Sequence, residues 1–410
     1  MLSSAPLLPL PDPDAAAHSA RLGAVLRQQI TAAGGWLSFA RFMQGLLYAP
    51  GLGYYAAGAA RFNRAGDFVT APEISPLFAR TLARALAPGL RRLQGGGPIQ
   101  VFEPGAGTGR LALHLLPALA EQDVLPDQYA ILEPSPALQE EQRATLAALP
   151  AGLRQRVIWL AAPPSAGWRG ALVANEVLDA LPVHVLQAGL DQDLQDLQEL
   201  GVVCDGAGAF AWQARPADTG LVAHARLVGA TGLPAGTRFE LAQAAPAWLA
   251  AVCAQLHEGV VLLVDYGYPA RELFHARRPL GTLRCHYRHH AHDDPFFLPG
   301  LQDVTAHVDF TAAARALAAA GLTLQEYASQ GAFLLNQGLL DTLDADLQPG
   351  TAAWTRQTSA LQQLISPAEL GEAFKVLVAV RAADGNTQAL FDGAGPLAVG
   401  QRLGLSQTGA

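Results

Sequence analysis

Phe102-Glu103-Pro104-Gly105-Ala106-Gly107-Thr108-Gly109-Arg110 sits between a short apolar run, Ile99 to Phe102, and a helical pattern from Thr108 to Leu119. A strand that passes into a helix through three closely spaced glycines makes a tight turn, where a ligand can press against backbone. The dinucleotide version of this turn spaces its glycines G-x-G-x-x-G. Here the third glycine, Gly109, comes one place early, and Arg110 stands where that pattern wants glycine. A bulky side chain there obstructs the close helix–strand approach needed around a pyrophosphate.

The chain alternates around this turn. Tyr129 to Leu132 reads as a second strand, Pro136 to Ala148 as the helix after it, and Val157 to Leu160, Ala171 to Ala174 and Val260 to Val264 as further strands. Strands separated by helices pair in parallel through right-handed crossovers, because a parallel neighbour is reached only by a long return. Thr323 to Tyr327 and Val376 to Val380 supply the last two. Between the fourth and fifth strands, Val183 to Leu186, Val202 to Cys204, Phe210 to Gln213 and Arg238 to Leu241 read as an antiparallel insertion. Upstream, Ala20 to Ala33 and Ser38 to Leu47 carry helical spacing, and Ser75 with Pro76 starts a third helix. The expected domains are a flexible tail over 1–19, a helical cap and substrate region over 20–98, the sheet domain over 99–385 with its insertion at 183–258, and a loose tail over 386–410.

Half of the 410 residues are hydrophobic and 15% are charged, which is material for a large core and more than one compact body. A net charge of -8 with no long basic run argues against a nucleic-acid partner. Cys204, Cys253 and Cys285 are odd in number and far apart, which fits a reducing compartment. The N-terminus is broken by Pro6, Pro9, Pro11 and Pro13 and does not read as a signal peptide. Val260 to Val264 is too short to span a bilayer. A cytoplasmic protein is expected, with its oligomeric state open and a homodimer among the options.

Glu103, just before the turn, offers a carboxylate to an α-ammonium group, which a pyrophosphate lacks. Glu133 closes the second strand, where a carboxylate can hold both ribose hydroxyls. With Gly105, Gly107 and Gly109 these residues fit S-adenosyl-L-methionine, which carries an ammonium, a ribose and a sulfonium. The expected fold is therefore that of an α/β class I methyltransferase: a Rossmann-like, seven-stranded, mostly parallel sheet with a helical N-terminal cap and a strand-rich insertion.

Six segments extend this reading to a family. They are SFARFMQGLLYAPGLGYY (Ser38 to Tyr55), GDFVTAPEISP (Gly66 to Pro76), FEPGAGTGR (Phe102 to Arg110), NEVLDALPV (Asn175 to Val183), DYGYP (Asp265 to Pro269) and GTLRCHYRHHAHDDPFFLPGLQDVTAHVD (Gly281 to Asp309). In this order the chain resembles the mitochondrial complex I assembly methyltransferase and its bacterial relatives over roughly residues 20 to 385. The resemblance implies a protein arginine methyltransferase with a protein substrate; the mitochondrial member makes symmetric dimethylarginine on a complex I subunit. One departure stands at the first turn, where many relatives have Gly-Pro-Gly-Arg-Gly-Thr and this chain has Pro-Gly-Ala-Gly-Thr-Gly.

Methyl transfer from a sulfonium is an in-line displacement that needs an aligned acceptor shielded from water. For a guanidinium acceptor, carboxylates must bind it in a fixed bidentate geometry. Asn175-Glu176-Val177-Leu178-Asp179 follows the fourth strand, at the carboxyl edge where open α/β sheets take ligands. Glu176 is the expected clamp, Asn175 orients substrate or cofactor, and Asp179 is a second carboxylate on the same side of a helical turn. Gly66, Asp67, Thr70 and Glu73 belong to a loop expected to close over the cofactor. Tyr54 and Tyr55 are candidate pocket walls, and His307 a candidate proton acceptor with an ordinary pKa near working pH. The run from His286 to His292 reads as a substrate-facing loop, not a metal site. Two alternatives stay open: an assembly factor that binds the cofactor but acts by docking, and a methyltransferase for a small molecule.

Overall fold

A computed structural model of the chain describes residues 8–57, 70–165, 167–190 and 194–405. The chain divides into two compact units. One comprises Val69–Val177, Ala247–Gly267 and Phe310–Ala410, and contains the glycine turn.

This unit is built on a mixed sheet. Its strands are β1 (Gln100–Pro104), β2 (Gln128–Leu132), β3 (Val157–Leu160), β4 (Trp168–Asn175), β5 (Leu256–Tyr268), β6 (Thr323–Ser329) and β7 (Phe374–Arg381). They lie in the order β3-β2-β1-β4-β5-β7-β6 on one path of an eight-stranded sheet. From β3 to β5 the pairings are parallel, whereas β7 runs antiparallel to both β5 and β6. The order reverses beside β1, because the chain moves outward from β1 to β3 and then returns to place β4 on the other side. Doubly wound sheets take ligands beside such a reversal, at the carboxyl ends of the strands, here β1 and β4. Val260 to Val264 of β5 are fully buried, as the unbroken apolar run requires of a strand covered on both faces. Each such side chain contributes about 2 kcal/mol through burial.

Helix Pro76–Leu93 begins as the sequence says: Ser75 Oγ accepts from the Leu77 amide at 3.2 Å and proline occupies the first turn. Helices Arg110–Ala120 and Pro136–Leu146 follow β1 and β2. One reading is corrected at the C-terminus. The stretch after Asp384, taken as a loose tail, contains the helix Gly395–Leu403, anchored where Thr311 Oγ1 donates to the Leu403 carbonyl at 2.9 Å.

The second unit comprises Met1–Phe68, Leu178–Pro246 and Tyr268–Asp309. The inserted strand-like runs form an antiparallel five-stranded sheet, in which the short Leu37–Ser38 strand joins Gln198–Cys204. Helix Phe39–Tyr48 buries Phe39, Phe42, Met43 and Leu46 in its core. The first helix starts at Pro13, inside the stretch read as tail, because Asp12 accepts from the Ala15 amide at 2.8 Å and Pro13 suits a first turn. The histidine-rich segment, read as a loop, is a hairpin of Arg284–Tyr287 against His290–His292. Arg288 and His289 both take positive φ, the backbone that matches a two-residue turn to strand twist. Among the described residues no helix is long and apolar enough to cross a membrane.

Candidate functional site

The glycine turn leaves β1 directly. Gly105, Gly107 and Gly109 all have positive φ, at 64°, 53° and 85°, a conformation costly for any side chain. The Gly105 amide donates to the Leu132 carbonyl at 2.9 Å, tying the turn to the end of β2. A Cβ built on Gly107 meets nothing within 4 Å, so the chain leaves open space on that side of the turn. A Cβ on Gly109 lies 3.4 Å from Gln142 Cα, so glycine there lets helix Pro136–Leu146 approach.

Two carboxylates flank this bend. Glu103, the penultimate residue of β1, is 3% exposed and accepts from the Tyr129 hydroxyl at 2.6 Å. Burial pushes its pKa up to about 7, opposed by the tyrosine hydrogen bond and reinforced by the charge of Glu133. Glu133, one residue past β2, is 4% exposed and also pushed up to about 7, chiefly by burial. Its oxygens accept from the Ser135 amide at 2.9 Å and from Gln142 Nε2 at 3.3 Å. Parallel pairing puts these acids at the same end of adjacent strands, since Glu103 is in register with Ile131. Burial of two neighbouring acids is offset here by these hydrogen bonds and by the raised pKa values.

The carboxyl end of β4 adds Asn175 and Glu176. Asn175 Nδ2 donates to Glu176 Oε1 at 3.2 Å. Its Oδ1 is buried and has no hydrogen-bond partner among the described residues. Glu176 adopts φ +54°, a left-handed conformation that costs a non-glycine residue about 1 kcal/mol. Its amide donates to the Val264 carbonyl at 2.9 Å, so the sheet holds the strained residue in place. Backbone outliers of this kind concentrate at working sites. The chain then proceeds through bend and turn, not the helical turn expected from the Glu176–Asp179 spacing.

The remaining expected residues divide. Gly66 and Asp67 lie outside the described residues. Thr70 precedes the short helix Ala71–Ile74 without a side-chain cap bond. Glu73 accepts from Thr108 Oγ1, and its Oε2 lies 3.1 Å from Arg110 Nε, so its partners are side chains of the glycine turn. Asp179 and His307 belong to the other unit. Asp179 is 4% exposed, and its carbonyl accepts from the Ala306 amide at 3.0 Å. Burial, helped by the charges of Arg278 and Arg284, lowers the His307 pKa to about 4, which keeps the ring neutral at physiological pH. Tyr55 is half-buried in that unit and donates to Asp303 Oδ1 at 2.9 Å. Tyr54 meets it edge-on at 5.1 Å between ring centroids.

Sequence reasoning missed Tyr129, Gln142 and Trp159. A faint signal existed for Gln142: it lies nine residues past Glu133, on the helix that must face the turn.

Comparison with known proteins bears on this site. Residues 81–328 match a family described as S-adenosyl-L-methionine-dependent methyltransferase. A crystal structure of a superfamily member from Burkholderia thailandensis, bound to S-adenosyl-homocysteine, is 47% identical, covers 93% of this chain and 97% of its own, and superposes with a TM-score of 0.85. The protein arginine methyltransferase NDUFAF7 homolog, mitochondrial, of Drosophila melanogaster is 29% identical over 381 residues, 86% of this chain and 83% of the fly protein. Its Danio rerio counterpart is 25% identical over 83% of this chain and 82% of its own length.

Proposed function

We propose that this chain, which belongs to the family of S-adenosyl-L-methionine-dependent methyltransferases, transfers a methyl group to an arginine of a protein partner. The observation that supports the site most strongly is the pair of buried carboxylates, Glu103 and Glu133, on either side of a glycine bend with open space beside it. They fit the cofactor: Glu103 answers an α-ammonium, Glu133 a pair of ribose hydroxyls, and Gly105, Gly107 and Gly109 allow close approach. When bound, the cofactor supplies an electrophilic methyl on a sulfonium.

The chain's own residues do the rest. Glu176 receives the guanidinium through two charge-assisted hydrogen bonds, its Oε1 already oriented by Asn175 Nδ2 at 3.2 Å. Asn175 offers its buried Oδ1 to an N–H of substrate or cofactor. Asp179, expected as a second carboxylate, belongs with His307 to the other unit, and the His307 pKa, lowered to about 4, makes that ring a weak proton acceptor. Thr70 and Glu73 shape the entrance, Glu73 by holding Thr108 and Arg110. The arginine substrate draws its support from the names of the fly and zebrafish relatives. A respiratory complex I subunit or its homologue is the first partner to test, and the cytoplasm the proposed location, although those relatives are mitochondrial by name. A homodimer is compatible with this scheme.

The test is mass spectrometry of methylated arginine in cells with and without the gene, repeated with Glu176→Gln. Loss of one methylarginine signal in both the null and the variant is expected. If no protein gains or loses a methyl group, the arginine reading fails. If partner assembly survives Glu176→Gln but methylation does not, docking and chemistry are separate activities.

A further inference from the structure

Gln142 is fully buried on helix Pro136–Leu146 and uses its whole carboxamide. Its Nε2 donates to the Gly107 carbonyl at 2.9 Å and to Glu133 Oε2 at 3.3 Å. Its Oε1 accepts from Trp159 Nε1 at 2.8 Å. An indole nitrogen only donates, whereas a carbonyl and a carboxylate only accept. The amide therefore has one workable orientation. Turned over, it would set oxygen against the Gly107 carbonyl and the Glu133 carboxylate, and nitrogen against an N–H. Trp159 is itself held on its open side, where the Arg143 guanidinium lies 4.6 Å from the ring centroid.

The consequence is a physical link between the two halves of the cofactor site. With Ser135 N on Oε1 and Gln142 on Oε2, both oxygens of Glu133 are fixed. The same amide nitrogen fixes the carbonyl of the middle glycine. We propose that Gln142, oriented by Trp159, is a positioning residue of the cofactor site that sets the Glu133 carboxylate and the glycine bend together. This rests on the reading of Glu133 as the group that holds the ribose. A bridge that served only to satisfy buried polar groups would affect folding but not the affinity of folded protein for ligand.

The test is calorimetric titration of the full chain with S-adenosyl-homocysteine, with circular dichroism to confirm that each variant is folded. Gln142→Leu weakens binding by about tenfold to a hundredfold, the range for losing a hydrogen bond to a charged group. Trp159→Phe, which keeps the ring and removes only the N–H, weakens it a few-fold. The double variant binds no worse than Gln142→Leu alone, because Trp159 acts through the glutamine. If the two losses multiply, or if folded Gln142→Leu binds as tightly as the parent, the proposal is overturned. Should Gln142→Leu not fold, Trp159→Phe decides, and unchanged affinity there overturns it. Glu133→Ala separates the two ideas. Parent-like binding by that variant defeats the ribose reading itself, whereas lost binding there with intact binding in Gln142→Leu defeats only the role of Gln142.

Discussion

Replacing Glu103 by glutamine should remove a pH-dependent loss of stability from the ligand-free protein while impairing its cofactor site. The carboxyl is buried and its pKa is displaced from 4.5 to about 7. A group whose folded pKa lies above its unfolded one stabilises the fold most when protonated. Its contribution is complete below about pH 4.5 and is lost as pH rises through about 7. The displacement corresponds to about 3 kcal/mol lost at pH 8, but only about 1 kcal/mol at pH 5. Glutamine does not titrate, and its carbonyl can still accept from Tyr129. Whatever the buried amide costs, that cost is the same at both pH values. The stability difference between variant and parent should therefore rise by about 2 kcal/mol from pH 5 to pH 8. Urea unfolding followed by circular dichroism measures it, and titration with S-adenosyl-homocysteine should show affinity reduced at least about tenfold, the order expected for losing a charged hydrogen-bond partner. A difference that stays constant across pH would refute the reasoning.

Three further outcomes follow from local geometry. Gly107→Ala places a side chain at φ +53°, which costs about 1 kcal/mol of stability, and fills space the cofactor needs; cofactor affinity that is unchanged by calorimetry contradicts the site. Glu176→Gly relieves the left-handed strain, so urea unfolding should show a gain of about 1 kcal/mol while methyl transfer is lost, and a variant that is less stable yet active contradicts the assignment. Tyr55→Phe removes the hydroxyl that donates to buried Asp303 and should cost about 1 to 3 kcal/mol in the same unfolding assay; no cost means the bond is not made in solution.

Local signals made much of the sheet readable in advance. The alternation of apolar runs and helices located all seven strands of the hydrogen-bonded path. What escaped was set by partners distant in sequence. Tyr129 meets Glu103 across 26 residues and Gln142 meets Gly107 across 35, and no local pattern announces either. Glu73 looked like a ligand contact because it is polar in a loop, yet its carboxylate is occupied by Thr108 and Arg110. The hairpin at Arg288 and His289 was missed because its turn lacks the glycine or asparagine that usually marks positive φ. The C-terminal helix was missed because Gly395, Pro396 and Gly400 interrupt its helical pattern within nine residues.

The most direct measurement is the proton balance of cofactor binding, obtained by calorimetry of S-adenosyl-L-methionine at pH 7 in buffers of different ionisation enthalpy. Glu103 and Glu133 both titrate near 7 without ligand, so a bound ammonium must draw out protons, up to about one per chain. One site per chain, with heat that varies with buffer in the direction of proton release, is the expected result. Binding with no buffer dependence, and equal affinity in Glu103→Gln, would show that the cofactor sits somewhere other than between these two acids.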